Sequence, residues 1–223
     1  METQGDGGEL HQPPESVKIG LCLVATDHVF SWFAYDLARM VGRTIRAQPD
    51  IQFSQFLATG CWLPDLRERA TDAALKANCT HLLYLDSDMR FPATTALELL
   101  ARDQPIVAAN YTQRKPPFQP VAVPSLAYPS DRLYTEAEST GLEQVEAVGL
   151  GVFLIQANVV QNIPRLRFGN RTPEDLYFCM QIKSLGVPIW IDQDLSQQVT
   201  HIGLVEFEAA HAVASREPKL VST

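Results

Sequence analysis

Apolar and polar positions alternate with two different periods along the first half of the chain. Short apolar runs typical of buried strands cover residues 17–25, 51–57 and 80–85, and a shorter one covers 106–109. Between them, residues 31–46, 64–77 and 93–102 carry apolar side chains at helical spacing, and the second of these helices has a small-residue face of alanines. Alternating strands and helices predict an α/β fold in which helices flank a mostly parallel central sheet.

The second half of the chain has a less regular pattern. Residues 111–144 are rich in proline, which predicts loops and edge strands, and irregular insertions of this length are usually functional. The pattern then predicts a strand at 145–155, a helix at 173–185 and short strands at 187–191 and 198–202. Residues 1–16 are polar and rich in glycine and proline, so we expect a flexible tail followed by one domain over residues 17–223.

Composition and charge narrow the class of protein. The 223 residues are 46% hydrophobic and 20% charged, as in an ordinary globular protein, and the net charge of −8 disfavours the nucleic-acid backbone as the main partner. No apolar run approaches the ~18 residues of a transmembrane helix, and the N-terminal residues lack the pattern of a secretory signal. Because the four cysteines are also scattered, we expect a cytoplasmic protein.

The strongest chemical signal is a pair of carboxylates at the end of a buried strand. Asp86 and Asp88 follow the apolar run at 80–85 and are separated only by Ser87. Side chains two residues apart on an extended chain share a face, and ligands of open α/β sheets bind at the carboxyl ends of strands. The pair therefore predicts a site for Mg²⁺ or Mn²⁺ that also holds phosphate oxygens. The alternative is that both aspartates only cap the loop that follows.

This segment resembles the DxD motif of GT-A fold, nucleotide-sugar-dependent glycosyltransferases, particularly the short family 2-like enzymes of bacteria and phages. Further stretches resemble other motifs of that family in the expected order over residues 17–205. They are Ala25-Thr26-Asp27 after the first strand, Gly149-x-Gly151 in a later strand, Glu174-Asp175 at a helix start, and His201 in Thr200-His201-Ile202-Gly203.

The resemblance implies a role for each of these segments. Residues 25–27 would contact the nucleotide, and Asp86 and Ser87 would also contact the donor. The glycines would face the sugar and the acceptor, and His201 would complete the metal shell begun by Asp86 and Asp88. Asp175 would be the catalytic base, with Glu174 as the second choice. Small residues at 149 and 151 would let a ligand approach the backbone.

Each of these roles has a structural alternative. Asp175 also fits a helix cap, because Thr172 and Pro173 form a good helix start, and a helix N-terminus would lower its pKa. His201 also fits a hydrogen-bonded core histidine. Arg114, in the loop after the fourth strand, could stabilise a departing diphosphate or simply lie on the surface.

Two other sequence features bear on the donor and metal sites. Arg67 is a candidate donor contact, although Glu68 follows it where similar transferases often have Asn. Asp192 and Asp194 form a second D-x-D, but their surroundings are typical of a turn, so we do not predict a metal there.

These features together predict a metal-dependent glycosyltransferase that moves a sugar from a nucleoside diphosphate sugar to an acceptor hydroxyl, with inversion implied by the resemblance. A phosphatase of the haloacid dehalogenase type is an alternative, since its nucleophile motif is also D-x-D after a strand. A catalytically silent sugar-nucleotide-binding module is another. The acceptor stays open among a glycan, a lipid-linked sugar, a protein and a modified base in phage DNA.

Overall fold

The computed structural model describes residues 16–128, 130–165, 167–169, 173–203 and 206–215. The predicted tail, apart from Ser16, and Thr172 lie outside the described residues. The strands are β1 (Lys18–Ala25), β2 (Gln52–Thr59), β3 (His81–Asp86), β4 (Met89–Arg90), β5 (Ile106–Ala108), β6 (Leu142–Val145), β7 (Val152–Gln156), β8 (Ile189–Asp192), β9 (Thr200–Ile202) and β10 (Glu206–Phe207). The helices are α1 (Ser31–Ala47), α2 (Leu63–Lys76), α3 (Thr95–Ala101), α4 (Ala157–Gln161), α5 (Glu174–Ser184), α6 (Gln193–Ser196) and α7 (Ala209–Ser215).

A seven-stranded sheet in the order β2-β1-β3-β7-β5-β8-β6 forms the centre of the fold. Strands β7 and β6 run antiparallel to their neighbours, and the other five strands share one direction. The predicted mixed α/β architecture, a single domain with a mostly parallel sheet between helices, is confirmed. The helices predicted at 31–46, 64–77, 93–102 and 173–185 begin and end within two residues of the observed bounds.

Strand β1 shows how the sequence builds two hydrophobic layers. Its side chains alternate between the faces of the sheet, so Leu21 packs in the layer that contains α1 while Cys22 packs in the layer that contains α2. A Cβ atom at Gly20 would lie 2.9 Å from the Cβ of Ala74. The alanine face of α2 therefore allows this helix to pack closely against the sheet. This close packing places Arg67 beside the end of β3.

The strand predicted at 145–155 is wrong as a single element. Its two ends belong to β6 and β7, and the six residues between them leave the sheet. Within this segment Ala147 bridges Val123, and the Glu146 carboxylate accepts a hydrogen bond from the Leu126 amide. Residues of the proline-rich insertion thus pair with Glu146 and Ala147 and take the place of a neighbouring strand. The pattern of one sequence does not show which partner such residues choose.

A second sheet, in the order β10-β9-β4, lies beside the end of β3. Strand β4 starts directly after Asp88 and pairs antiparallel with β9, with Met89 opposite His201. This small sheet brings His201 to Asp88 from more than a hundred residues away in the chain. Among the residues described, no helix is both long and apolar enough to cross a membrane.

Candidate functional site

A cleft of about 340 Å³ opens at the carboxyl ends of β1 and β3. Seven of the residues predicted to bind donor or metal line it, and they come from four separate stretches of the chain: Ala25, Thr26, Asp86, Ser87, Asp88, Arg114 and His201. Asp27 is exposed next to these residues but does not line the cleft. The strand-end rule predicted Asp86 and Asp88 at this edge, whereas Ala25, Thr26 and His201 were named by the family resemblance.

Asp86 accepts a hydrogen bond from a buried arginine. Arg67 Nη2 donates a hydrogen bond to Asp86 Oδ1 at 2.9 Å, and Arg67 Nε lies 3.5 Å from Glu174 Oε1. The Arg67 side chain is only 2% exposed and does not line the cleft. Its observed role is to fix the end of β3 against the start of α5, and a direct contact with the donor stays a prediction.

Asp88 lies between two cationic or potentially cationic groups. Its Oδ2 is 2.9 Å from Arg114 Nη1 and 3.4 Å from His201 Nε2. Burial alone would raise the pKa of Asp88, but the hydrogen bond with His201 and the charges of His201 and Arg114 outweigh it, so the pKa lies below its usual range. Asp88 is therefore ionised at neutral pH.

The orientation of His201 is fixed by its other ring nitrogen. Nδ1 lies 3.0 Å from the carbonyl oxygen of Thr112, which can only accept a hydrogen bond, so Nδ1 carries the proton. When Nε2 is also protonated, it donates to the carboxylate of Asp88, and in the neutral ring its lone pair faces that carboxylate instead. Two acceptors that face each other require a proton or a cation between them. Backbone carbonyls orient metal-binding histidines in this way.

The fit of this site to a divalent cation can be judged from those contacts. Atoms 3.4 Å apart can both contact one ion at bond lengths of about 2.1 Å, and Mg²⁺ is usually held by one or two carboxylates together with substrate phosphates. The third predicted ligand, Asp86, uses one oxygen to bind Arg67. Within the described parts of the chain, no three His, Cys, Asp or Glu side chains form a group that could hold a metal. Asp88 and His201 therefore offer at most two ligands to such an ion, and its other ligands would have to come from a bound molecule.

Asp175 lies in a separate cavity of about 170 Å³, lined also by Gln113, Arg132, Pro173 and Leu176 among others. Burial and the negative charge of Glu174 raise the pKa of Asp175 above its usual range, whereas the Leu176 amide and Arg67 lower it by less. The expected lowering by the helix N-terminus is therefore wrong, because desolvation is the larger effect. A raised pKa and a position facing a cavity are typical of a general base, and the hydrogen bond that Asp175 Oδ1 accepts from the Leu176 amide at 2.7 Å is typical of a helix cap.

Gly149 and Gly151 make room for a side chain of the protein itself. A Cβ at Gly149 would lie 2.3 Å from the Tyr111 hydroxyl oxygen, and one at Gly151 would lie 2.8 Å from Tyr111 Cζ. The Gly151 amide donates a hydrogen bond to that hydroxyl at 3.1 Å, and the Tyr111 ring packs edge-on against His201. Packing of Tyr111 therefore explains the small residues, and the donor contact implied for the glycines stays a prediction.

We expect Gly151→Ala to destabilise the protein by about 1–3 kcal/mol, because the added methyl group overlaps the ring of Tyr111 in a packed interior. Urea unfolding measures the change. Gly42→Ala is the matched control, since no described atom lies within 4 Å of its added Cβ and alanine favours the helix. Equal stability of both variants would contradict the role given to Tyr111.

Sequence reasoning missed several residues near the site, among them Tyr111, Thr112, Gln113 and Arg132. Tyr111 and Thr112 support His201, and Arg132 lines the cavity of Asp175. The first two follow β5 closely, so the strand-end rule that identified Asp86 could have identified them. Arg132 lies within the proline-rich insertion, where nothing in the sequence marks one arginine above another.

Comparison with known proteins gives a likeness of fold without a family. No family model matches the sequence, and no curated protein matches it significantly. Among solved structures, A197 from STIV superposes with a TM-score of 0.55 at 16% identity, covering 84% of this chain and 86% of that one. GalNAc-T7, solved with UDP, GalNAc and Mn²⁺, superposes with a TM-score of 0.52 at 11% identity over 91% of this chain and 48% of its own.

These identities show the fold alone. The chain shares the GT-A type of architecture with a solved glycosyltransferase, and it spans about half the length of that enzyme.

Proposed function

We propose that the protein is a metal-dependent glycosyltransferase that uses a nucleoside diphosphate sugar. One observation carries the proposal: Asp88 and a histidine oriented by a backbone carbonyl face each other in a cleft at the carboxyl ends of the central strands. The likeness of fold to a transferase solved with UDP and Mn²⁺ supports the same reading.

The donor would lie in the cleft that contains Asp86 and Asp88. Ala25, Thr26 and Asp27 would contact the nucleoside, and Ser87 would lie beside the diphosphate. Asp88 and His201, with Asp86 nearby, would hold Mn²⁺ or Mg²⁺, which would supply positive charge to stabilise the departing nucleoside diphosphate. Arg114, already 2.9 Å from Asp88, would add a further cation to the same leaving group.

The acceptor would enter the cavity of Asp175, which would take the proton from the attacking hydroxyl. Glu174 is less suited to this task because it lies 3.5 Å from the buried guanidinium of Arg67. A single displacement assisted by one carboxylate base would invert the anomeric carbon, as the sequence resemblance implies. The neighbouring side chains of Gln113 and Arg132 would orient the acceptor.

A screen of nucleoside diphosphate sugars by thermal shift, with Mn²⁺ and with EDTA, tests the proposal. A ligand that binds only the folded state raises the melting temperature by mass action, so a donor and metal together should give a larger shift than either alone. Binding without release of nucleoside diphosphate would support the silent binding module instead. Hydrolysis of a simple phosphate monoester would support the phosphatase.

His201→Ala tests the metal directly. We expect the Mn²⁺-dependent affinity for donor to fall at least about tenfold, because the variant loses a metal ligand. Each variant is compared with its own metal-free melting temperature, since His201 also packs against Tyr111. His81→Ala, a partly buried histidine at the opposite end of β3, is the control and should leave the metal effect unchanged. An unchanged metal effect in His201→Ala would show a purely structural histidine.

A further inference from the structure

The exposed face of α1 carries a continuous line of aromatic and basic side chains. Trp32, Tyr35, Arg39, Arg43 and Arg46 are all exposed and lie within about 80° of one another around the helix, at 3.6 residues per turn. We call these five residues the α1 stripe. Trp32 and Tyr35 are each 53% exposed, although their rings contact each other at 5.9 Å. A neighbouring face of the helix is buried through Phe33 and Met40.

The charge of the α1 stripe is opposite to that of the whole chain. The net charge is −8, yet the acidic residue within α1, Asp36, is only 2% exposed and is bonded to Arg90 at 3.0 Å. Arg39 lies 3.9 Å from that carboxylate, whereas Arg43 and Arg46 project along the exposed face. A basic face on an acidic protein is a place where an anionic surface is attracted.

Apolar side chains continue the stripe towards the donor cleft. Val29 and Phe30 are exposed immediately before α1, and the Phe30 amide donates to the carbonyl of Ser87 in the DxD turn. On the other side of the cleft Trp62 is 57% exposed, between two residues that line the cleft. The mouth of the cleft is therefore bordered by exposed apolar and aromatic side chains, which is unusual for a surface that faces only water.

We propose that the α1 stripe, with Val29 and Phe30, binds the surface of a bilayer that contains anionic phospholipid. Segments that bind the bilayer interface combine basic side chains, which are attracted to anionic lipid, with tryptophan and other apolar side chains that enter the headgroup boundary. Single-stranded nucleic acid also binds basic and aromatic residues, but it does so by stacking on open rings. Here Arg90 covers a face of Trp32 and Arg39 covers a face of Tyr35, while exposed Val29 and Ile45 offer aliphatic surface that suits lipid.

This surface also narrows the acceptor, a step that rests on the proposed function. With α1 on the bilayer, the cleft mouth next to Phe30 lies at the level of the lipid headgroups. A lipid-linked sugar would then be held close to the donor cleft, and its hydroxyl would still have to reach the neighbouring cavity of Asp175. Among the four acceptor classes left open by the sequence, the structure thus favours the lipid-linked one.

Sedimentation with extruded vesicles tests the surface without donor, metal or turnover. The full chain should bind vesicles of phosphatidylcholine mixed with phosphatidylglycerol, and binding should fall steeply with added salt. Arg43→Gln should weaken it about fivefold, since each basic residue near an anionic membrane contributes about that much. Trp32→Ala should weaken it about tenfold through lost apolar burial. Tyr128→Ala and Arg165→Gln, exposed residues outside the stripe, should leave it unchanged.

Several outcomes would overturn the proposal. These are failure to bind mixed vesicles at low salt, equal binding to pure phosphatidylcholine, and equal weakening by the two control variants. Binding to a single-stranded oligonucleotide but not to vesicles would assign the stripe to nucleic acid. Donor-dependent thermal shifts are measured separately from vesicle binding. Vesicle binding can therefore fail while the transferase proposal stands, and vesicle binding can succeed while no donor raises the melting temperature.

Discussion

Asp88→Asn should reduce turnover about 100-fold or more while the protein stays folded. The amide keeps the size of the side chain but removes the negative charge that would hold the metal against His201 and the diphosphate. Loss of outer-shell groups already costs 10–100-fold in typical metal sites, so loss of a ligand should reach the upper end of that range. Release of nucleoside diphosphate from a donor identified in the thermal screen measures the effect.

Asp194→Asn is the matched control for this change. Asp194 belongs to the second D-x-D, lies 2.7 Å from Arg102 as Asp88 lies 2.9 Å from Arg114, and has a pKa lowered by hydrogen bonds from Thr140 and Arg102. The pKa of each carboxylate is lower in the folded protein than in the unfolded chain. The ionised group therefore stabilises the fold at a pH above the unfolded pKa, and this contribution is lost as the pH falls through the folded pKa. Both variants should therefore share a small stability loss, and only Asp88→Asn should lose turnover. Full turnover of the wild type in excess EDTA would contradict the metal.

The central sheet could be predicted from sequence because its signals are local. Strand β1 is apolar on both faces, α2 has its alanine face, and each carries its pattern within a single window. The antiparallel strand β7 and the break between β6 and β7 could not be predicted in this way. The break coincides with the pairing of Val123 with Ala147, and β7 pairs with β3 and β5, so both features join segments that no periodicity connects.

The site follows the same division. Asp86, Asp88 and Asp175 follow strand ends or begin a helix, so local pattern and family resemblance located them. The burial of Arg67, which joins Asp86 to Glu174, depends on how closely α2 approaches the sheet. The raised pKa of Asp175 likewise depends on tertiary burial, which outweighs the helix-terminus effect that the sequence suggested.

Asp175→Asn should lower kcat by about 10²–10⁴-fold, the usual cost of removing a general base. Donor affinity should change little, because Asp175 lies in the second cavity and does not line the donor cleft. The melting temperature at neutral pH should stay equal or rise. A carboxyl whose pKa is raised in the folded protein stabilises the fold below its unfolded pKa, and this contribution is lost as the pH rises through the folded pKa. At neutral pH the buried, ionised carboxylate therefore lowers the free energy of unfolding, and replacement by the neutral asparagine removes this cost.

Asp65→Asn separates this catalytic role from helix capping, because Asp65 also lies in the first turn of a helix, α2, but is exposed and paired with Arg69. It should cost at most about 0.3–1 kcal/mol of stability and leave kcat unchanged. The wild-type kcat should fall on the acidic side as Asp175 takes up its proton, and this limb should disappear in Asp175→Asn. Turnover of Asp175→Asn within threefold of wild type, with the acidic limb retained, would show that Asp175 is not the base and would leave Glu174 as the candidate. Loss of a general base lowers the rate far more than loss of a cap charge could, so the two roles are distinguishable.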